Sequence, residues 1–165
     1  MKKIYYLMVA MLMAMTTLSL TACGDDDEED GPNGGGGNIE GTWKGNLTND
    51  WYDEEDADYI EEAEALIQFK KGGKYVSVTI IHYTKKGIEE IRQYEPNFKN
   101  PQVEVDNGTY SVNGNKLTTF DSEGERDEST FSISGKKLTI TYIEDGQEVK
   151  MTLTRVDDKE INKYL

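Results

Sequence analysis

The chain has 165 residues, with 18 Lys and Arg against 32 Asp and Glu, and a formal net charge of -14. This length predicts one domain, and the charge disfavours nucleic acid as a partner and predicts repulsion from anionic membrane surfaces. One cysteine and one histidine exclude an internal disulfide and a histidine-rich metal site and support no catalytic set, so we expect no enzyme, no cofactor and no metal.

Residues 1–22 have the pattern of an export signal, in which Lys2 and Lys3 precede an apolar run that is short for a membrane span. A transmembrane anchor is the alternative interpretation. The run ends in Leu20-Thr21-Ala22-Cys23, which resembles a bacterial lipobox: an aliphatic residue, two small residues and then cysteine. The resemblance implies that Cys23 is lipidated through its sulfur, becomes the first residue of the mature protein and holds the protein on a membrane.

Residues 23–38 are predicted to be a tether. Six consecutive acids occupy residues 25–30, and the linker GPNGGGGN follows them. The acidic run resembles the export signal of some Gram-negative surface lipoproteins, which implies a place in the bacterial outer membrane, facing the cell exterior. A solvated spacer is the alternative, because blocks of like charge are normally disordered. We expect the folded domain to occupy residues 39–165.

The first half of that domain is predicted to form strands. In residues 39–47 the period of two puts Gly41 and Trp43 on one face, and Lys71-Gly72-Gly73 predicts a hairpin turn. Residues 57–65 could instead form a short helix. In residues 74–83 Val, Val and Ile alternate with Ser and Thr, and we expect Thr, Ser and Lys to face outward. A change of parity at Asn107-Gly108 predicts a bulge or a sharp bend.

The second half contains an internal repeat. Residues 109–118, TYSVNGNKLT, recur as residues 130–139, TFSISGKKLT, and each copy reads as strand, glycine turn and strand. A third hairpin turns at Asp145-Gly146. Short alternating strands in sequence order predict an all-β, antiparallel up-and-down barrel of about eight strands. A β-sandwich is the alternative.

The predicted barrel resembles the lipocalin-like domains of bacterial lipoproteins. The resemblance is carried by Gly41-Thr42-Trp43, which matches the family's G-x-W, by the hairpin around Gly73-Lys74-Tyr75, and by Arg155 on the last strand. In the family an arginine near the end of the barrel lies across this tryptophan, which implies a cation–π contact between Arg155 and Trp43. The alternative is that Arg155 extends from a strand end into water.

An acidic segment with aromatic residues, residues 49–64, is the candidate binding site. The lipocalin-like layout places it at the open mouth, where Trp51, Tyr52 and Tyr59 could stack a sugar or cap a hydrophobic ligand. Alternatively these rings plug the mouth as core. A calcium site is disfavoured because the EF-hand spacing is absent. His82 is a further candidate ligand residue, with an ordinary barrel position as its alternative.

These features predict an exported, lipid-anchored surface protein whose lipocalin-like domain binds a small hydrophobic or glycan ligand. The alternative is an interaction or inhibitor module with a filled barrel that binds another surface protein through its loops. An interior pocket would favour the first function, whereas a solid core with an exposed aromatic patch would favour the second.

Overall fold

The computed structural model describes residues 37–47, 58–144 and 146–165 and shows a closed antiparallel barrel with its strands in chain order. The eight strands are β1 Gly41–Leu47, β2 Ile60–Lys70, β3 Lys74–Tyr83, β4 Gln102–Asn113, β5 Lys116–Phe120, β6 Arg126–Ser134, β7 Lys137–Glu144 and β8 Gln147–Val156. A helix, α1 (Lys85–Ile91), lies between β3 and β4, and a single helical turn, α2 (Lys159–Asn162), follows β8. The predicted barrel is confirmed, and the sandwich is excluded because β1 pairs with β8.

The predicted hairpins of the second half are confirmed. The two copies of the repeat form the β4–β5 and β6–β7 hairpins, which turn at Gly114 and Gly135. These glycines have φ of 62° and 57°, a left-handed conformation that side chains disfavour. The repeat therefore encodes two identical turns at one end of the barrel.

The pairing register separates inner from outer side chains. Trp43 lies opposite Ile67 on one side and Arg155 on the other, so every second residue of each strand shares its inward direction. We name the end where β1 begins the closed end, because the main core cluster fills it. That cluster consists of Ile39, Trp43, Phe69, Leu117, Phe131, Leu138, Ile140 and Leu153. The opposite end, where β1 stops and β4 begins, is the mouth.

The expectation that Thr and Ser face outward is wrong for β3. Ser77 lies opposite the inward-facing Ile67 and therefore points into the barrel, whereas Val78 points outward. The outward residues of β3 are nevertheless buried, because Ile161 of α2 packs on them from outside. Thr42 anchors the segment that leads into α2: its hydroxyl donates to Asp158 Oδ1 at 2.6 Å.

The predicted bulge at Asn107-Gly108 is also wrong. Strand β4 pairs without interruption, with β3 from Gln102 to Thr109 and with β5 from Thr109 to Asn113. The parity of the apolar residues changes because Val103 and Val105 face outward, 41% and 47% exposed. Polar residues take the inner positions of that stretch of β4 instead.

The suggested helix over residues 57–65 is not formed in the described part, where residues 60–65 belong to β2. The alternation of this strand fits a barrel wall, because Ala63 and Ala65 point inward on the same face as Ile67. Inward alanines leave room at the mouth, whereas helix propensity is a weak preference that barrel pairing overrides.

Candidate functional site

The closed end of the barrel is sealed by Arg155 and Trp43. The guanidinium carbon of Arg155 lies 4.3 Å from the centroid of the Trp43 ring, so the predicted contact is present. Trp43 is fully buried, and its Nε1 donates to the carbonyl oxygen of Ile39 at 2.8 Å. Arg155 Nη2 donates to the carbonyl oxygen of Asn38 at 3.3 Å. A ligand therefore cannot enter the barrel from this end.

The interior near the mouth has a polar wall. Asp106 lies opposite Ser77 on the inner face; its Oδ2 accepts from the Tyr75 hydroxyl at 3.4 Å and its Oδ1 from the Ser122 hydroxyl at 3.1 Å. The other inward polar residues of this wall, on β3 to β6, are Thr79, Gln102, Glu104, Thr119, Asp127 and Ser129. Gln102, Glu104 and Asp106 are half-buried although they point inward, so solvent reaches this part of the interior, which we name the wet half.

An apolar wall faces the polar one across the barrel. Its inward residues on β7 and β8 are Ile140, Tyr142, Val149 and Met151. Ile140 is buried, whereas the other three are half-buried and border the wet half. The mouth therefore has two chemically different sides, one with carboxylate and hydroxyl oxygens and one with aliphatic and aromatic carbon.

Burial and nearby carboxylates raise the pKa of two groups of the polar side of the interior. Burial raises the pKa of Asp127, and the nearby Asp121 carboxylate raises it further. The residue is exposed as a whole, but its carboxyl group is turned toward the interior, which explains why desolvation dominates. Burial also raises the pKa of Tyr75, and the charge of Asp106 beside its hydroxyl adds to the effect. The site thus favours neutral donors or positive groups over further negative charge.

Helix α1 and the loop after it cover part of the mouth. Ile88, Ile91 and Phe98 pack on a buried cluster that includes Ile81 and Tyr83. The Phe98 and Tyr83 rings meet edge to face with centroids 5.4 Å apart. The covered sector lies beside β1 to β3.

The predicted lipidation site Cys23 and the predicted binding residues Trp51 and Tyr52 lie outside the described residues. Tyr59 lies beside the start of α1, where Lys86 Nζ is 4.5 Å from its ring centroid. His82 pairs with Glu62 and follows Ile80 on the outer face of β3, so its side chain points away from the barrel interior. The structure does not bring Tyr59 and His82 together inside the barrel.

Sequence reasoning missed the inward carboxylates. Their signal was the alternation in β4, where Glu104 and Asp106 alternate with Val103 and Val105. A bulge at Asn107-Gly108 would have put Val103 and Val105 on the inner face with Tyr110, although either face of that strand could have been the inner one. In the part of the chain that the structure describes, no group of His, Cys, Asp and Glu has the geometry of a metal site.

None of the helices in the described ranges is long and apolar enough to cross a bilayer. No family model matches the chain, and no curated protein matches it. Among solved structures the chain is similar to the Cpx pathway activator NlpE from Escherichia coli, with 21% sequence identity and a TM-score of 0.41. The match covers 68% of this chain and 50% of the NlpE chain, so this chain spans about half of that protein's length.

Proposed function

We propose that the protein is an exported lipoprotein, anchored to the bacterial outer membrane through Cys23 and facing the cell exterior, whose barrel binds a small glycan at its mouth. The observation that carries the binding function is the pair of unlike walls inside the barrel. The lipobox-like sequence before Cys23 and the acidic run after it support the anchor and its location.

The polar wall argues against a filled barrel. A barrel of eight strands is just wide enough to be filled by its own side chains or to hold one small ligand. A filled interior would place apolar residues at the inner positions, as the closed end does with Leu117 and Leu138. Near the mouth the inner positions hold Glu104 and Asp106 instead, and burying these carboxylates without solvent would cost several kcal/mol each.

Two walls of this kind match the surface of a sugar. The hydroxyl groups of a glycan donate hydrogen bonds, and the carboxylates of Glu104, Asp106 and Asp127 accept them; bonds to charged groups are stronger than neutral ones. The C–H face of the same sugar is apolar and suits Tyr142 and Met151. A purely hydrophobic ligand would strip water from the polar wall without replacing its hydrogen bonds, so the glycan is favoured over the hydrophobic alternative.

The test is native mass spectrometry of the soluble chain from Gly24 onward, mixed with glycan and lipid extracts, followed by calorimetric titration of any retained compound. Glu104→Gln and Asp127→Asn should each weaken glycan binding about tenfold, because a hydrogen bond to a charged group contributes roughly 1.5 kcal/mol. Glu89→Gln, which alters an exposed carboxylate of α1, is the matched control. Retention of lipids alone, or equal losses in all three variants, would contradict glycan binding at the mouth.

A second candidate function, binding of another surface protein, is supported by apolar side chains outside the barrel. Tyr94 is 72% exposed after α1, and Val105 is 47% exposed on the outer face of β4. Val103, which is 41% exposed, lies two residues from Val105 on the same outer face, and contiguous exposed apolar patches are typical of protein interfaces. Cross-linking in intact cells, compared between the parent and Tyr94→Ser, tests this function: a partner captured by the parent and lost in the variant would support it.

A further inference from the structure

The turns at the two ends of the barrel differ in charge. Every charged residue in the hairpin turns at the closed end is a lysine: Lys70, Lys71 and Lys74 at the β2–β3 turn, Lys116 at the β4–β5 turn, and Lys136 and Lys137 at the β6–β7 turn. The β5–β6 loop at the mouth carries acids instead: Asp121, Glu123 and Glu125. The chain as a whole is acidic, yet its closed end is basic.

Five of these six lysines are available to a partner; we name Lys70, Lys71, Lys74, Lys136 and Lys137 the lysine ring. The sixth, Lys116, pairs with Glu128 at 2.8 Å. The lysine ring is exposed, and its members form no ion pair with any residue in the described ranges.

Nearby acids are few and mostly engaged. Asp158 accepts the hydroxyl of Thr42, and Asp157 Oδ1 accepts the backbone N–H of Lys159 at 2.9 Å. Glu40 is half-buried beside Tyr110. Burial raises the pKa of Tyr110, and the charge of Glu40 raises it further. These three acids keep their charge, and against the five lysines they leave a net positive charge at this end.

The lysine ring suits a flat partner. The barrel has eight strands in chain order, so the β2–β3 and β6–β7 turns are four strands apart and lie on opposite sides of the closed end. A planar anionic surface can touch both turns at once.

The chain also enters the barrel at the closed end. Gly37 lies against Ile133 near the β6–β7 turn: a β-carbon added to Gly37 would be 3.6 Å from Cβ of Ile133. Thirteen residues separate Gly37 from Cys23, and a Gly-rich coil of that length spans roughly 20 Å. A membrane that holds Cys23 is therefore within reach of this end.

We propose that the lysine ring rests on the anionic lipid headgroups of the membrane that holds Cys23, which turns the mouth away from the membrane; this rests on the proposed function for the anchor. Each basic residue near an anionic surface strengthens binding about fivefold. The acids at the mouth do not cancel this attraction. Strand β3 has 10 residues, which at about 3.3 Å each separate the two ends by several Debye lengths of ~8 Å at physiological salt.

The experiment measures co-sedimentation of the mature chain carrying Cys23→Ser with vesicles of phosphatidylcholine, alone or mixed with phosphatidylglycerol. The triple variant Lys71→Gln, Lys136→Gln and Lys137→Gln should lose on the order of 100-fold in binding to the anionic vesicles. The matched triple variant Lys85→Gln, Lys99→Gln and Lys150→Gln has the same net charge and should lose less than about threefold, because its lysines lie toward the mouth. Binding to neutral vesicles should be weak in every form.

Two results would overturn the proposal: equal losses in the two triple variants, or equal binding of the parent to neutral and anionic vesicles. A third comparison replaces the six acids of residues 25–30 by Ser and Asn. If only that variant binds vesicles, the acidic run of the same chain occupies the lysine ring, and the proposal is wrong. Because Cys23→Ser removes the anchor from every form, failure here is distinct from failure of the lipoprotein function, which labelled fatty acid incorporation at Cys23 tests.

Discussion

Gly41 and Arg155 share one small space at the closed end of the barrel. A β-carbon added at Gly41 would lie 2.6 Å from Nη1 of Arg155, closer than real β-carbons approach other atoms. Gly41 also has a φ of 116°, which L side chains rarely adopt. The backbone at this position therefore requires the glycine of the G-x-W pattern, and the guanidinium that covers the tryptophan would have to shift if a side chain replaced it.

Gly41→Ala should consequently destabilise the domain more than the backbone conformation alone explains. Gly72→Ala is the matched control, because Gly72 has a φ of 90° and nothing within 4 Å of the added carbon. The control should cost about 1–2 kcal/mol from backbone strain, and Gly41→Ala should cost more by displacing the guanidinium. Urea unfolding measures both free energies. Equal losses would show that Arg155 moves aside freely.

The contact between Trp43 and Arg155 should appear as a coupling energy. Trp43→Ala empties a fully buried site and should cost about 3–5 kcal/mol. Arg155→Ala should cost less, about 0.5–1 kcal/mol, because Arg155 is exposed as a residue and solvent weakens a cation–π contact. A double-mutant cycle by urea unfolding should give non-additive losses. Additive losses would show that the contact contributes nothing to stability.

Ile161 should hold the C-terminal turn on the barrel. Its side chain is fully buried and packs on Val78 and Ile80, which face outward from β3. Ile161→Ala should destabilise the domain by about 2–5 kcal/mol, the usual cost of emptying a buried aliphatic site. Leu165→Ala is the control: it removes similar apolar volume at a side chain that is 58% exposed and should cost less than about 0.5 kcal/mol. Equal effects in chemical unfolding would show that the turn is not docked.

The sequence predicts the closed end of the barrel better than the mouth. The alternation of residues 39–47 predicts that Gly41 and Trp43 share one face, and the resemblance to lipocalin-like domains implies that Arg155 lies across Trp43. The orientation of β3 could not be predicted, because Val78 and Ile80 on its outer face are buried by Ile161, a residue 81 positions from Ile80. Period-two alternation says that two faces differ; it does not say which one a distant segment will cover.

The same ambiguity hid the candidate site. The bulge predicted in β4 would have put Val103 and Val105 on the inner face with Tyr110, and Glu104 and Asp106 on the outer face. The structure requires glycine at position 108 for a different reason: an added β-carbon would collide with the carbonyl oxygen of Phe120. The Asn107-Gly108 pair thus marks the close approach of β4 to the next strand, and the parity of the strand never changes.

Asp127 should make the stability of the domain depend on pH. Its pKa is raised in the folded protein, so the folded state binds the proton more tightly than the unfolded state, whose value is about 3.9. The stabilisation from this proton is fully present below the unfolded pKa and is lost as pH rises through the folded pKa. At neutral pH the ionised Asp127 is therefore a destabilising group.

Asp127→Asn should accordingly stabilise the domain at neutral pH, by less than about 1 kcal/mol because the site is partly solvated. The gain should shrink toward zero as pH falls below the unfolded pKa. Asp121→Asn should shrink it as well, since it removes the second cause of the raised pKa but keeps the Oδ1 atom that accepts from the N–H groups of Glu123 and Glu125. Glu61→Gln, at an exposed position of β2, is the control for charge alone. Urea unfolding across the acidic range measures the parent, the three single variants and the double variant Asp121→Asn with Asp127→Asn. A gain from Asp127→Asn that persists at low pH would show that the carboxylate is not desolvated.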